Sequence, residues 1–220
     1  MKTSNPYSRR RILVNSCALA ALAALDGVAA AADKLRRTPT QALGPFYPRE
    51  KPLDADADLT LVKGRNGRAR GQVVHVMGRV TNTAGEPVKG ARIEIWQANT
   101  HGRYAHPGDD NPAPLDPNFQ GYASLVTDGE GRYRFKTIKP APYPAGRNMR
   151  PAHIHFDVVG KSNRVITQMY FPGDQFFEKD SVVAIAEENA RLLIADMRPL
   201  TPDLEPDSLL ANWNIVLENG

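Results

Sequence analysis

Residues 150–156 read RPAHIHF and place His153 and His155 two positions apart in a stretch with strand character. Side chains at i and i+2 of a β-strand share a face, so the two imidazoles should project side by side. Two neutral imidazoles on one face make half of a transition-metal site, because either ring nitrogen can ligate. Two tyrosines have settings that suit the other half. Tyr104 lies in HGRYAHP, ahead of the loop DDNPAPLDPN, and Tyr143 lies in KPAPYPAG between Pro142 and Pro144. A proline on each side restricts the backbone and fixes where the ring is aimed. Taken singly, a strand HxH or a loop tyrosine is more often packing than ligation. Together, two phenols and two imidazoles form a hard, partly anionic donor set without thiolate. A phenol of pKa ~10 binds as phenolate only if a strongly Lewis-acidic cation compensates the lost proton, which ferric iron does better than zinc or magnesium. The inference holds if the four meet in space, which spacing alone does not establish.

The elements that must position them read as mainly β. From Gln72, VVHVMGRVTNTAGEPVKGARIEIWQAN alternates apolar and polar residues around Gly85-Glu86-Pro87 and Lys89-Gly90, a strand, turn, strand pattern. GYASLVTDGEGRYRFKTI repeats it with a turn at residues 128–131, AHIHFDVVG and VITQMYF add two strands, and NIVLEN supplies a last one. Short strands at regular spacing with Gly and Pro turns predict an antiparallel β-sandwich over residues 71–220 with little helix. One helix is predicted over residues 181–197, SVVAIAEENARLLIADM, from its apolar spacing. Residues 33–70 are irregular: TPTQALGPFYP at 38–48 holds three prolines and a glycine, so this segment is expected to be an arm lying across a body.

Residues 1–32 stand apart. Arg9-Arg10-Arg11-Ile12-Leu13 opens an apolar, alanine-rich run to Leu25, followed by small residues up to Ala32. That order is an export signal of the twin-arginine kind, expected to be removed near Ala32 and to deliver the chain to the periplasm. The apolar run is shorter than the ~20 residues that span a bilayer, so no stable membrane span is expected after removal. The whole chain has 28 Lys and Arg against 24 Asp and Glu; four of those bases and one acid precede residue 33, leaving 24 against 23. A near-neutral body carries no basic footprint for nucleic acid. The only cysteine, Cys17, lies inside the signal, so the exported body has no disulfide, thiolate ligand or cysteine nucleophile.

The motifs TPTQALGPFYP, GEPVKGARIEIWQANTHGRYAHP, LDPNFQGYASLVTDGEGRYRFKTIKPAPYP, RPAHIHF and ITQMYFPGD, in this order, resemble the intradiol ring-cleavage dioxygenases, and within them the protocatechuate-cleaving branch, over roughly residues 38–220. The resemblance implies a non-haem Fe(III) enzyme. Its ligands would be Tyr104, Tyr143, His153 and His155, with Arg150 and Gln168 beside the substrate ring. Such enzymes cleave a catechol with O2 between its two hydroxylated carbons, giving a cis,cis-muconate-type dicarboxylate. Tyr143 would be the ligand that the catechol displaces and that takes its proton. Arg150 has a physical role in such chemistry, since a fixed guanidinium stabilises negative charge developing on the ring.

Two departures border the expected substrate pocket. The segment between Tyr143 and His153 is short, and Ala145 stands where the resemblance leads one to expect a tryptophan. A catechol or substituted-catechol substrate is therefore an alternative to protocatechuate. A carboxylated substrate also needs a cationic partner, for which Arg103, Lys139 and Arg147 are candidates. The resemblance further implies an oligomer, homomeric or with a related subunit. The competing reading is a secreted, non-catalytic transthyretin-like β-sandwich, which GRVTNTAGEPVKGARIEIW alone also resembles but which has no reason to carry the four-donor set.

Overall fold

The computed structural model describes residues 34–219; the expected export signal lies outside the described residues. Alternating valines at 74, 76 and 80 form a long first strand, β1 (Val73–Asn82), whose buried side chains face the core. Asn82 then makes a tight turn, its side-chain oxygen accepting from the backbone N–H of Ala84 and Glu86, with Gly85 in the left-handed region at φ 82°. The chain crosses to the opposite sheet as β2 (Arg92–Trp96). β3 (Tyr122–Val126) pairs with β2, and β4 (Arg132–Ile138) crosses back to pair with β1. Each strand, turn, strand unit read from the sequence is therefore a bridge between sheets and not a hairpin.

A short hairpin, β5 (Tyr143–Ala145) and β6 (Asn148–Arg150), leads into β7 (His153–Val159) and β8 (Arg164–Tyr170). One sheet has the order β3-β2-β7-β8. Three short late strands, β9 (Asp196–Arg198), β10 (Leu209–Asn212) and β11 (Ile215–Leu217), complete the other. The purely antiparallel expectation needs a correction here, since β10 and β11 both pair with β1 in parallel. The long connection after β8 lets the chain return in the direction of β1, and parallel pairing requires such a crossover.

The predicted helix over 181–197 is also corrected. The α-helix α1 spans only Ser181–Ala184, capped by the Asp180 side chain, and residues 187–193 form a 3-10 helix. Glu187, at φ 50°, breaks the helical path between them. Val183, Ala186 and Leu193 are nevertheless buried, so the apolar spacing that suggested a helix does serve the core.

The core lies between the sheets. Ile154, Phe156 and Val158 of β7 and Ile93 and Ile95 of β2 meet Val76 and Phe135 from the opposite sheet, with Phe156 tilted against Phe135 and edge-on to Trp213. β1 has one point of very close approach. Trp213, in the break between β10 and β11, donates its N–H to Met77 O, and a Cβ on Gly78 would stand 1.8 Å from Trp213 O. Backbone on both sides leaves no rotamer that relieves this. Gly78→Ala is expected to lose about 3 kcal/mol of stability in urea unfolding; a loss below about 1 kcal/mol would show that the strand pair can separate at little cost.

Candidate metal centre

The site is built on the outer face of the β3-β2-β7-β8 sheet. Because side chains alternate along β7, Ile154 and Phe156 go to the core while His153 and His155 share the opposite face. In register, Trp96 of β2 and Gln168 of β8 flank His155, and Tyr170 stands opposite His153. An outer face would ordinarily meet solvent. Here both histidines are almost fully buried, because residues 34–70 cross over them. Phe46 packs on Tyr104 with ring centroids 4.6 Å apart, Tyr47 packs edge-on against Trp96, and Gly44 lies against the His155 ring.

The structure brings all four sequence-derived donors together. The His153 and His155 rings are 4.8 Å apart with Nε2 atoms at 3.2 Å; Tyr143 is 5.5 Å from His153 and from Tyr104, and Tyr104 is 6.2 Å from His155. His153 Nδ1 donates to Pro151 O at 2.7 Å, which fixes the tautomer and leaves Nε2 a lone pair pointing inward. His155 stacks on Trp96 at 4.8 Å and 8° between planes, and its Nδ1 has no protein partner. The phenol oxygens approach each other, but without hydrogen-bond geometry, so buried Tyr104 Oη is unpartnered.

Electrostatics keep the whole set neutral. Burial, reinforced by the Arg150 charge, pushes the His153 pKa down to about 3, and burial with the neighbouring His153 holds His155 well below the ordinary range. Both imidazoles are therefore unprotonated at neutral pH. Burial raises both phenols, Tyr104 strongly, while Arg150 opposes the shift at Tyr143. Without a cation beside them, the phenols stay protonated. Among the described residues no group of three or more His, Cys, Asp and Glu is clustered to hold a metal. A cation at this place must therefore take phenol oxygen as well as imidazole nitrogen, and the unpartnered donors fit that demand.

Arg150 pairs with Tyr143 across the β5–β6 hairpin, so the short segment between Tyr143 and His153 is what sets the guanidinium beside the phenols. Arg150 Nη2 donates to Gln168 Oε1 at 2.7 Å and Tyr170 Oη at 3.1 Å, and Nε donates to Asp180 Oδ2 at 2.5 Å. Gln168 is fully committed: it also accepts from Tyr170 Oη and donates to Ala42 O. Sequence reasoning missed Trp96, Tyr170 and Asp180. The first two were visible only as strand residues, and their cross-strand register to the histidines was the missing signal.

The three carboxylate-partner candidates are dispersed. Arg103 donates to Ala113 O, Lys139 sits 5.4 Å over the Phe171 ring, and Arg147 is exposed at the hairpin tip. A cavity of about 690 Å³, walled in part by Phe46, Trp96, His106 and Tyr122, touches Tyr104 alone of the six predicted site residues.

The family model described as Dioxygenase matches residues 43–219. The chain belongs to the intradiol dioxygenase family. It is 43% identical over 178 residues to a protocatechuate 3,4-dioxygenase beta chain of Burkholderia cepacia, covering 79% of this chain and 76% of that one. It is 32% identical over 172 residues to a hydroxyquinol 1,2-dioxygenase of Rhizobium sp., covering 71% of this chain and 54% of that protein. Among solved structures, catechol 1,2-dioxygenase from Acinetobacter sp. ADP1 is similar at 26% identity and TM-score 0.63, over 83% of this chain and 63% of that one. The 3-chlorocatechol 1,2-dioxygenase from Rhodococcus opacus shares the fold at 20% identity and TM-score 0.65, over 83% and 73%. This intradiol dioxygenase thus carries its family's sandwich with an apolar, donor-lined centre on one face.

A buried hydroxyl without a partner destabilises the protein that contains it. With metal removed, Tyr104→Phe is therefore expected to match or exceed the wild type in urea unfolding, by up to about 1 kcal/mol. A clear loss of stability in that metal-free comparison would mean that Tyr104 Oη has a protein partner.

Proposed function

We propose that this enzyme is a non-haem ferric intradiol dioxygenase that opens the ring of a catechol, of protocatechuate type, with O2 between the two hydroxylated carbons. The observation that carries the reading is the convergence of Tyr104, Tyr143, His153 and His155, with Tyr104 Oη and His155 Nδ1 buried and lacking partners. When bound there, ferric iron supplies the Lewis acidity that holds phenolates and catechol oxygens and the electron demand that opens the ring to O2.

The chain's own residues do the rest. Tyr143, at the start of the hairpin and beside Arg150, is the phenol placed to leave the set and to take a catechol proton at Oη. Tyr104, packed under Phe46 and held through its backbone by Asp109, stays in place. Arg150 stabilises negative charge spreading over the ring, and Gln168 and Tyr170 keep its guanidinium from turning away. Trp96, stacked on His155, and Phe46, packed on Tyr104 and Tyr143, cover the donor set, so these charges act in a low-dielectric setting. Exposed Ala145 beside Tyr143 puts little bulk at that wall, which favours a substituted or larger catechol as the second reading. Similarity to a protein named as a beta chain supports assembly with like or related subunits.

The test is an anaerobic visible spectrum of the purified mature protein, before and after protocatechuate or catechol, with iron assayed on the same sample. A phenolate-to-ferric band that shifts with one catechol is expected; a colourless protein that stays metal-free when ferric iron is supplied would overturn the reading. We also infer that residues 1–32 direct twin-arginine export. Among the described residues no helix is long and apolar enough to cross a membrane. Expression with the full leader should give periplasmic protein starting near Asp33, and a cytoplasmic chain retaining residues 1–32 would refute export.

A further inference from the structure

Asp180 lies thirty residues beyond Arg150, at the mouth of α1, and its side chain is almost fully buried. Its two oxygens are divided between two tasks. Oδ1 accepts the N–H groups of Val182 and Val183 at 2.7 and 2.9 Å, capping the helix, while Oδ2 accepts Arg150 Nε at 2.5 Å. A second carboxylate in the same segment works alongside it: Asp174 Oδ2 accepts from Ala152 N at 2.9 Å and Oδ1 from Phe176 N. Residues 174–180 thus grip the strand entry RPAH at two points, one on its backbone and one on its guanidinium. With Nε held by Asp180 and Nη2 shared by Gln168 and Tyr170, no described acceptor holds Nη1, which remains free to donate.

We propose that Asp180 is a positioning residue for ring cleavage, locking the Arg150 guanidinium in the one orientation that presents Nη1 to the reacting ring. A planar guanidinium held on its Nε side and one Nη cannot rotate about its own axis, whereas one held by neutral acceptors alone can slide between them. This rests on the reading of Arg150 given above.

The experiment is a double-mutant cycle with a structural arm, on iron-loaded protein. Asp180→Ser keeps a helix-capping oxygen but is too short to reach Arg150; Asp180→Asn keeps one acceptor oxygen for the cap and turns an amide NH2, which cannot accept, toward Arg150 Nε. Asp180→Ser should lower kcat/KM for the best catechol by about 10- to 100-fold, the scale of a small misplacement of a catalytic group. Iron per chain and the visible band should stay at wild-type values; Tm should fall, because a buried ion pair loses one partner; and Asp180→Asn, which caps the helix but offers Nε no acceptor, should lose activity as Asp180→Ser does. In the Arg150→Ala background, Asp180→Ser should add less than about twofold, because it acts through the residue already removed. A full, independent loss in that background, or wild-type turnover by Asp180→Ser, would overturn the proposal. Crystal structures of wild type and Asp180→Ser give the second readout: the guanidinium should leave its present position, and an unmoved one would overturn it even if the wild type cleaves no catechol. The latter result would instead refute the proposed function.

Discussion

His153 and His155 turn their Nε2 atoms toward each other across 3.2 Å, with Tyr104 Oη beside them lacking a partner, inside a shell that excludes water. One Nε2–H can donate to the other across that gap, but Tyr104 Oη and His155 Nδ1 are buried without a partner, which costs free energy. A chain folded only for stability would place apolar side chains there. The arrangement is explained if the missing partner is a cation, since neutral imidazole and ionisable phenol are then the right donors and burial strengthens the attraction between them. The burial that keeps the histidines unprotonated also keeps the phenols protonated until a positive charge arrives. On the proposed reading, an arriving cation would therefore meet the imidazoles first.

Geometry follows from where the site sits on the sandwich. The inner face of the β3-β2-β7-β8 sheet is committed to the core through Ile95, Ile154 and Phe156, so the outer face alone is free to carry chemistry. Cross-strand register puts Trp96, His155 and Gln168 in one row, and Tyr170 beside His153 in the next. Two rows of a rigid sheet thus hold the imidazoles, the ring that stacks on one of them, and the acceptors for Arg150. The tyrosines come from outside the sheet, Tyr104 from a loop and Tyr143 from the short β5–β6 hairpin. On the proposed reading, such a division suits a centre in which one phenol leaves while the imidazoles stay.

Much of this was legible in the sequence, and what was not has physical reasons. Period-two alternation showed the long strands, and the HxH spacing alone put both imidazoles on one face. Strands of three or four residues, such as β5, β6, β9 and β10, are too short to display a period, so the hairpin that sets Arg150 against Tyr143 was unread. The helix over 181–197 was overextended because apolar spacing reports burial, and a 3-10 turn with one left-handed residue buries the same side chains. The meeting of Tyr104 and Tyr143 with the histidines came through family resemblance and not through spacing, and coordinates were needed to show it. Asp180 went unread for a related reason: a helix-capping carboxylate looks the same in sequence whether or not its second oxygen holds an arginine.

The arm explains why the outer face can be an active site at all. Within a few residues it supplies Gln41 to Tyr170, Ala42 O to Gln168, Gly44 to His155, Phe46 to Tyr104 and Tyr47 to Trp96. It is latched where it leaves the site. Tyr47 and Lys51 both bond to buried Glu94, two residues before Trp96; burial alone would raise that carboxyl, but the Lys51 and Tyr47 hydrogen bonds outweigh it and hold its pKa below the usual range. Gly44 is required twice over at the tightest point. It takes a left-handed φ of 76°, and a Cβ there would stand 3.0 Å from His155 Cε1. A side chain at that position would have to push the imidazole or lift the arm, and lifting the arm would admit water to the face whose dryness keeps the imidazoles unprotonated. The irregular, proline-rich segment is thus as much a part of the centre as the strand that bears the histidines.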